Sequence, residues 1–374
     1  MEFEYKLRKY LKKKAENHWQ LNKTPPQKKY DSFIIVPAKA ESKRLPILLN
    51  SISKQSVKYL KKCLIIIILN NSNKDSKKIY QDNQKSIKYL NDTEFNFNLC
   101  YVNACDKGMN LPIKKAGVGL ARKIGADLIL KYARQKSIIC YTDADTVLSK
   151  SYLKKISQYY HRTSCGAAIV NFKHQNDSNS IIQNNIKEYE KFLLETASQL
   201  KKAGSPYSYV ALGSCMTCTA SAYISIGGMN RMKATEDFYF LQELTKHFQF
   251  MHTINDVLVY PSSRLSSRVY LGTGYRMDKA IKGSNISDLY FSNKSFNNLK
   301  KFLDIIIKAY GLNKTQLLQK TSEIKQLNDF LIKENIDEIW DSLINNVDYK
   351  KYISQFHRWF DGLKTIKFLK YFSK

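Results

Sequence analysis

The sequence predicts an α/β protein, with a mostly parallel sheet flanked by helices (Rossmann-like) and a helical C-terminal extension. Three observations carry this expectation. Uninterrupted apolar runs of strand length recur through the N-terminal half, and segments with apolar residues at helical spacing stand between them. Strands without polar alternation are what a sheet covered on both faces requires. Beyond about residue 285 the pattern turns helical and polar, with no convincing strand.

Residues 1–30 form a basic segment in which Lys6, Arg8, Lys9, Lys12, Lys13 and Lys14 are interleaved with Leu7, Tyr10 and Leu11. A short basic helix fits, ended before Pro25-Pro26. The ordered core over 31–280 begins with the buried strand Phe33 to Pro37, a helix over 45–52 and a second buried strand over 64–69. Asn70-Asn71-Ser72-Asn73 is a turn signal, followed by a helix over 75–90 and a third strand over 97–102. Apolar positions 118, 120, 121, 124, 128, 129 and 132 place a helix within 116–133. The run Ser137 to Tyr141 reads as a short buried strand, with a helix near 149–160 and a strand near 167–172 beyond it. Ile182, Ile186, Tyr189, Leu193, Ala197 and Leu200 give a helix over 181–202. Residues 281–374 form the basic helical extension, and no internal repeat is present.

The chain of 374 residues suits one large domain with an appendage, or two domains, and its 43% hydrophobic content excludes a disordered chain. A formal net charge of +29, mostly from Lys, attracts anionic partners: nucleotide phosphates, nucleic acid or an acidic membrane surface. A Lys-, Asn- and Ile-rich composition also arises from genomic bias. Seven scattered cysteines fit reduced, mostly buried thiols of a cytosolic protein. Cys215 and Cys218 are the close pair, but a zinc site needs about four ligands, and no second pair stands at matching spacing. Residues 1–30 lack the apolar core of a signal peptide. The longest apolar stretch, Cys63 to Leu69, falls short of the ~20 residues that span a bilayer. The expectation is a cytoplasmic protein, soluble or peripheral on the inner face of the membrane.

Chemistry concentrates at Thr142-Asp143-Ala144-Asp145, where an apolar strand ends. Two carboxylates one residue apart at the carboxyl end of a strand can converge on one divalent cation. Hard oxygen ligands favour Mg2+ or Mn2+, ions that also grip substrate phosphates. A solvated turn is the alternative for such a tripeptide taken alone. Three further segments change its weight: Val36-Pro37-Ala38-Lys39-Ala40-Glu41, then Gly117-Val118-Gly119-Leu120-Ala121-Arg122-Lys123-Ile124-Gly125, then Ile226-Gly227-Gly228-Met229 with Thr235-Glu236-Asp237.

In this order these landmarks resemble the family 2 glycosyltransferases and their GT-A fold relatives, over roughly residues 32–275. The resemblance implies a GT-A domain over 31–280 and transfer of a sugar from a nucleoside-diphosphate sugar to a hydroxyl. It implies that Asp143 and Asp145 bind the metal, Asp145 the more directly, and that Asp237 is the general base of an inverting enzyme. Glu236 would hold the acceptor or position Asp237. Thr235 as a cap, with both acids favouring the helix dipole, accounts for the same residues and is compatible with a site role. Pro37, Ala38 and Glu41 correspond to the nucleotide-binding turn, though Ala38-Lys39-Ala40 departs from the family's aromatic-Asn step. Asn70 and Asn71 stand where the family often has aspartates that contact the base; alternatively they only form the turn. Arg122 would reach toward the diphosphate or the metal-site aspartates, or lie on the helix surface. Gly213 and Ser214 resemble the acceptor-side segment.

The loop over 261–276 is rich in Arg, Ser and Gly, and Arg268 with Gly272-Thr273-Gly274 would clamp phosphate. His252 is expected as a strand residue rather than a third metal ligand. The expected partners are a nucleotide-sugar donor and a saccharide or lipid-linked acceptor of cell-surface polysaccharide type. An anionic membrane surface is a further partner if the basic, aromatic tail over 364–374 lies upon it. Two rival readings stand beside this one. A nucleic-acid-binding protein would explain the charge but not the ordered acidic motifs. A nucleotidyltransferase would release pyrophosphate in place of a nucleoside diphosphate.

Overall fold

The computed structural model describes residues 2–265, 272–345 and 347–373. The chain divides into two compact units. The first comprises residues 1–187, 211–244 and 252–284; the second comprises 188–210, 245–251 and 285–374.

The first unit is built on an eight-stranded mixed sheet. Its strands are β1 (Tyr30–Ala38), β2 (Cys63–Asn70), β3 (Asn98–Ala104), β4 (Ala133–Tyr141), β5 (Val147–Leu148), β6 (Ala167–Phe172), β7 (Met216–Thr219) and β8 (His252–Tyr260). They lie in the order β3-β2-β1-β4-β7-β6-β8-β5. β1 pairs in parallel with β2 and β4, as does β2 with β3 and β6 with β8. β4 with β7, β6 with β7, and β5 with β8 are antiparallel. Every residue of β2 is buried, as the unbroken run Leu64 to Leu69 requires of a strand covered on both faces.

The chain order of helices is α1 (Glu2–Lys13), α2 (Leu45–Ser53), α3 (Val57–Leu60), α4 (Lys77–Asp92), α5 (Val118–Ile129), α6 (Tyr152–Thr163), α7 (Ser180–Lys202), α8 (Ala220–Ser225), α9 (Glu236–Phe248) and α10 (Thr273–Ile281). Gly125 lets α5 lie close on the sheet: a methyl there would come within 2.6 Å of Ile68 and 2.7 Å of Ile35 side-chain carbons. The predicted strands and helices of this unit all form. β5 and β7 have no counterpart in the sequence reading, because strands of 2 and 4 residues are too short to show a period. This is the mostly parallel sheet with flanking helices that the resemblance implies.

The topology fixes where a ligand can sit. From β1 the chain builds outward through β2 to β3, then returns to place β4 on the other side of β1. The crevice beyond the carboxyl ends of β1 and β4 is therefore a topological switch point. Glu41 follows β1 there, and Asp143 and Asp145 follow β4.

The basic N-terminal segment is packed into this unit. Leu7, Tyr10 and Trp19 are buried. The Tyr10 hydroxyl donates to Asp127 Oδ1 at 2.7 Å and accepts from Lys123 Nζ at 2.9 Å. Asp127 also accepts from Tyr223 at 2.8 Å and from the Glu16 amide at 2.8 Å. Gly228 leaves room for the Tyr10 ring, since a methyl on it would fall 2.0 Å from the Tyr10 hydroxyl.

The second unit is helical. Alongside residues 188–210 it contains α11 (Asn293–Lys308), α12 (Lys314–Thr321), α13 (Leu327–Lys333), α14 (Ile336–Ile344), α15 (Tyr349–Trp359) and α16 (Gly362–Phe372). Phe302 stacks on Phe368 at 5.8 Å between ring centres and meets Phe360 at 5.2 Å. Trp340 is fully buried and donates to the Leu312 carbonyl at 2.9 Å. Asn313 and Gln316 close a capping box at the start of α12.

This packing corrects the expectation for the C-terminal tail. Phe368, Leu369 and Phe372 are buried in the unit's core, and Ile366 and Tyr371 pack against it. Lys364 and Lys367 hydrogen-bond Glu334 at 2.8 and 3.0 Å. The aromatic side of the tail is therefore not a free apolar face for a bilayer; Lys374 lies outside the described residues. No helix among the described residues is long and apolar enough to cross a membrane.

Candidate active site

At the β1/β4 crevice, two arginines and four carboxylates interlock. Arg122, on the first turn and a half of α5, is only 2% exposed. Its Nη2 donates to Asp143 Oδ1 at 2.5 Å, and its Nη1 pairs with Glu236 Oε1. The surface-arginine alternative is thus excluded, and Arg122 meets the first of the two expected metal-site aspartates. Burial alone would lower the Arg122 pKa, but Asp143, Glu236 and Asp237 around it raise it. Gly213 makes this placement sterically feasible, because a methyl on it would lie 2.1 Å from Arg122 Nη2.

Asp143 also accepts from the Ser214 hydroxyl at 2.7 Å, and Ser214 in turn is 3.2 Å from Thr146 Oγ1. Ser214 thus bonds the first aspartate directly, while Gly213 lies against the Arg122 guanidinium. Asp145 Oδ2 lies 2.7 Å from Arg264 Nε, and a second nitrogen of Arg264 pairs with Glu41. Gln175 Nε2 ties the Asp145 carbonyl, at 2.9 Å, to that of Tyr260, at 2.7 Å. Burial pushes the Asp145 carboxyl up to about 6; Arg264 opposes the shift, while Asp143 and Glu41 add to it.

Glu236 and Asp237 open α9. Glu236 is 3% exposed, and burial raises its carboxyl to about 8 against the pull of Arg122. Asp237 is half-buried, accepts from the Phe238 amide at 2.8 Å, and is raised by burial. The Thr235 hydroxyl donates to the Ala234 carbonyl at 2.5 Å, and the Thr235 carbonyl accepts from the Tyr239 amide at 3.2 Å at the start of α9. Thr235 sits at φ 63°, a left-handed conformation costly for a β-branched residue. Asn230 Nδ2 holds the first turn by donating to the Glu236 carbonyl at 3.0 Å. Gly119 lets α5 approach it: a methyl there would meet the Met232 carbonyl at 2.4 Å and Glu236 Cβ at 2.9 Å.

At the turn beyond β2, Asn70 and Asn71 take part in the turn itself, the second of the two expected roles. Asn70 Nδ2 donates to the Ile68 and Ala38 carbonyls at 3.1 and 3.3 Å, and Asn71 Nδ2 donates to the Ser72 carbonyl at 3.2 Å. Both amide nitrogens thus brace the turn. The polar pair at this turn is Lys39 with Asp75, at 2.7 Å. Pro37 lies within β1, paired with Ile68, and Ala38 ends the strand.

Arg268 lies outside the described residues. Arg264 in the same loop takes a site position that the sequence reading did not single out, since an Arg- and Ser-rich loop does not reveal which arginine turns inward. Gln175 and Asp75 carried no sequence signal at all. His252 is the first residue of β8, with its Nδ1 3.1 Å from the Tyr159 hydroxyl, and so is a strand residue. Cys215 and Cys218 are buried free thiols, consistent with core residues. Among the described residues no cluster of three or more His, Cys, Asp or Glu side chains forms a metal cage.

Residues 33–218 match the family described as glycosyl transferase family 2. No curated protein matches the chain. Among solved structures, S. aureus TarS 1-349 in complex with UDP-GlcNAc is similar at 16% identity and a TM-score of 0.44, covering 86% of this chain and 81% of that one. The Pyrobaculum calidifontis mannosyltransferase PcManGT, in complex with GDP-Man and Mn2+, is similar at 13% identity and a TM-score of 0.41, covering 94% and 91%.

Proposed function

Since this chain belongs, through residues 33–218, to glycosyl transferase family 2 and is a glycosyltransferase, we propose that it moves a sugar from a nucleoside-diphosphate sugar to an acceptor hydroxyl with inversion. One observation carries this reading. Asp143 after β4 and Glu236 at the start of α9 both pair with the buried Arg122, so carboxylates of the two acidic motifs form one constellation.

Asp143 and Asp145 fit a divalent ion shared with substrate. Such ions are commonly held by one or two carboxylates, with phosphate and water completing the shell, rather than by an all-protein cage. Bound Mn2+ or Mg2+ would neutralise charge on the departing nucleoside diphosphate. Arg264, now on Asp145 and Glu41, is a cation within reach of the same anionic group.

Asp237 is the proposed base. The acceptor oxygen attacks the anomeric carbon, the bond from that carbon to the diphosphate oxygen breaks, and the hydroxyl proton passes to the Asp237 carboxylate. Glu236 is locked to Arg122 and buried, which suits it to positioning the acidic turn rather than to taking the proton. The acceptor is a saccharide or a lipid-linked saccharide.

Two variants test these roles. Asp145→Ala should abolish the Mn2+-dependent thermal shift produced by nucleotide-sugars, a shift that follows from ligand binding only the folded state. Asp237→Asn should keep that shift and lose transfer by about a hundredfold or more. Full transfer by the Asp237→Asn enzyme would remove the base assignment, and no shift with any donor would remove the reading itself.

A further inference from the structure

The Gly227-Gly228 turn and the N-terminal segment take no part in the transfer chemistry, yet they meet. The turn closes α8, with the Gly227 and Gly228 amides donating to the Ile224 and Tyr223 carbonyls at 3.0 and 2.8 Å. Both glycines take left-handed backbone, at φ 85° and 81°. The end of α1 and the residue after it cover them. A methyl on Gly227 would lie 2.7 Å from Lys14 Nζ, and one on Gly228 would run into the Tyr10 hydroxyl.

The same segment grips α5, the helix that carries Arg122. The Tyr10 hydroxyl bonds both Lys123 and Asp127 on that helix. Glu16 reaches two elements at once: its amide donates to Asp127 Oδ2 at 2.8 Å, and its carboxylate pairs with Arg231. The Glu16 side chain is 14% exposed, so this pair is screened less than one between fully solvated groups. Arg231 stands between two residues that fasten the acidic turn. Asn230 Nδ2 donates to the Glu236 carbonyl at 3.0 Å, and the Met232 carbonyl accepts from the Gly119 amide at 3.2 Å.

We infer that residues 10–16 form a clasp that ties the loop over 227–235 to α5 and so sets Asp237 in place, with Glu16 as its positioning residue. What is positioned rests on the glycosyl-transfer reading. Arg122 meets Asp143 on one side and Glu236 on the other, so the acidic turn holds its place only while α5 and the loop stay in register. A shift of about 1 Å in a catalytic group can cost about a hundredfold in rate. Glu41, Asp145 and Arg264 are bonded to one another, so loosening the clasp reaches the acidic turn and spares the donor side. Both halves of the clasp lie outside residues 33–218, the span matched by the family.

The test compares Glu16→Arg, Arg231→Glu and the charge-exchanged double variant in the full chain. Turnover is nucleoside-diphosphate release with Mn2+ and water as acceptor, from whichever of a panel of UDP-, GDP- and dTDP-hexoses gives the largest thermal shift. Each single variant should lose kcat about tenfold with donor KM and thermal shift unchanged. The double variant should return to within about threefold of wild type, since the restored pair couples the two sites. Glu16→Gln, which keeps the amide bond to Asp127 and nearly the same side-chain size, is the milder variant and should lose kcat about threefold. Backbone hydrogen exchange of the unliganded chain should quicken over residues 229–240 in the single variants and recover in the double. The proposal is overturned if the single variants keep wild-type kcat, if the double is no better than either, or if donor KM rises in step with the loss. Unchanged exchange over 229–240 overturns it whatever the turnover. No shift or turnover with any donor in the wild-type chain would fail the glycosyl-transfer reading, and the exchange measurement would still decide the clasp.

Discussion

Arg122 is a cation shared by two carboxylates from distant parts of the chain, and Gly213 is the residue that leaves room for it. A Gly213→Ala substitution should push the guanidinium off its partners. Breaking a buried ion pair typically costs about 3–5 kcal/mol. The expected outcome is therefore a lower unfolding midpoint together with loss of transfer, measured by thermal melting and nucleoside-diphosphate release. Arg122→Lys should not preserve activity, because an ammonium cannot bridge two carboxylates as a planar fork does. The aspartates and the acidic pair were legible in the sequence because their order along the chain is distinctive. Arg264 and Asp75 were not, because their roles depend on which way a loop side chain turns. Asn70 and Asn71 were legible as turn residues, and their amide nitrogens do brace the turn.

At the scale of elements, the sequence specified the parallel strands and their helices well, since long apolar runs and helical periods are local signals. It was less informative about α1. Read by composition, that helix is a basic segment for an anionic surface; in the fold, Leu7 is buried and Tyr10 joins a buried polar cluster. Lys123 and Asp127 would be costly to bury without Tyr10 and Tyr223 to complete their hydrogen bonds. Tyr10→Phe should lower stability by about 1–3 kcal/mol, the range for leaving buried polar groups short of a partner. Urea unfolding would measure it, and hydrogen exchange should rise first in residues 2–19.

For the whole molecule, the two units should respond to pH with opposite sign. In the helical unit, burial pushes the His357 imidazole down to about 4, and its Nδ1 has no hydrogen-bond partner. The unfolded chain then binds the proton more readily, so this contribution is full above about pH 6.5 and lost as pH falls toward 4. The loss is at most about 3 kcal/mol. In the sheet unit, Glu236 is raised to about 8 by burial, so folding is disfavoured by its ionisation as pH rises through that value. Hydrogen exchange at pH 5 against pH 7.5 should show the helical unit loosening at the lower pH, and a His357→Leu variant should flatten that response.

The second unit is assembled from three stretches of chain, and this bears on where the protein can be cut. The match to the family ends at residue 218, before the acidic pair that opens α9. Leu200 and Ala203, inside the matched span, belong to the same core as Phe302, Trp340 and Phe368. A fragment trimmed to 33–218 would lack Glu236, the buried partner of Arg122, and the aromatic core in which Leu200 and Ala203 are packed. The stretch that folds around this core is accordingly longer than the region by which the family is recognised.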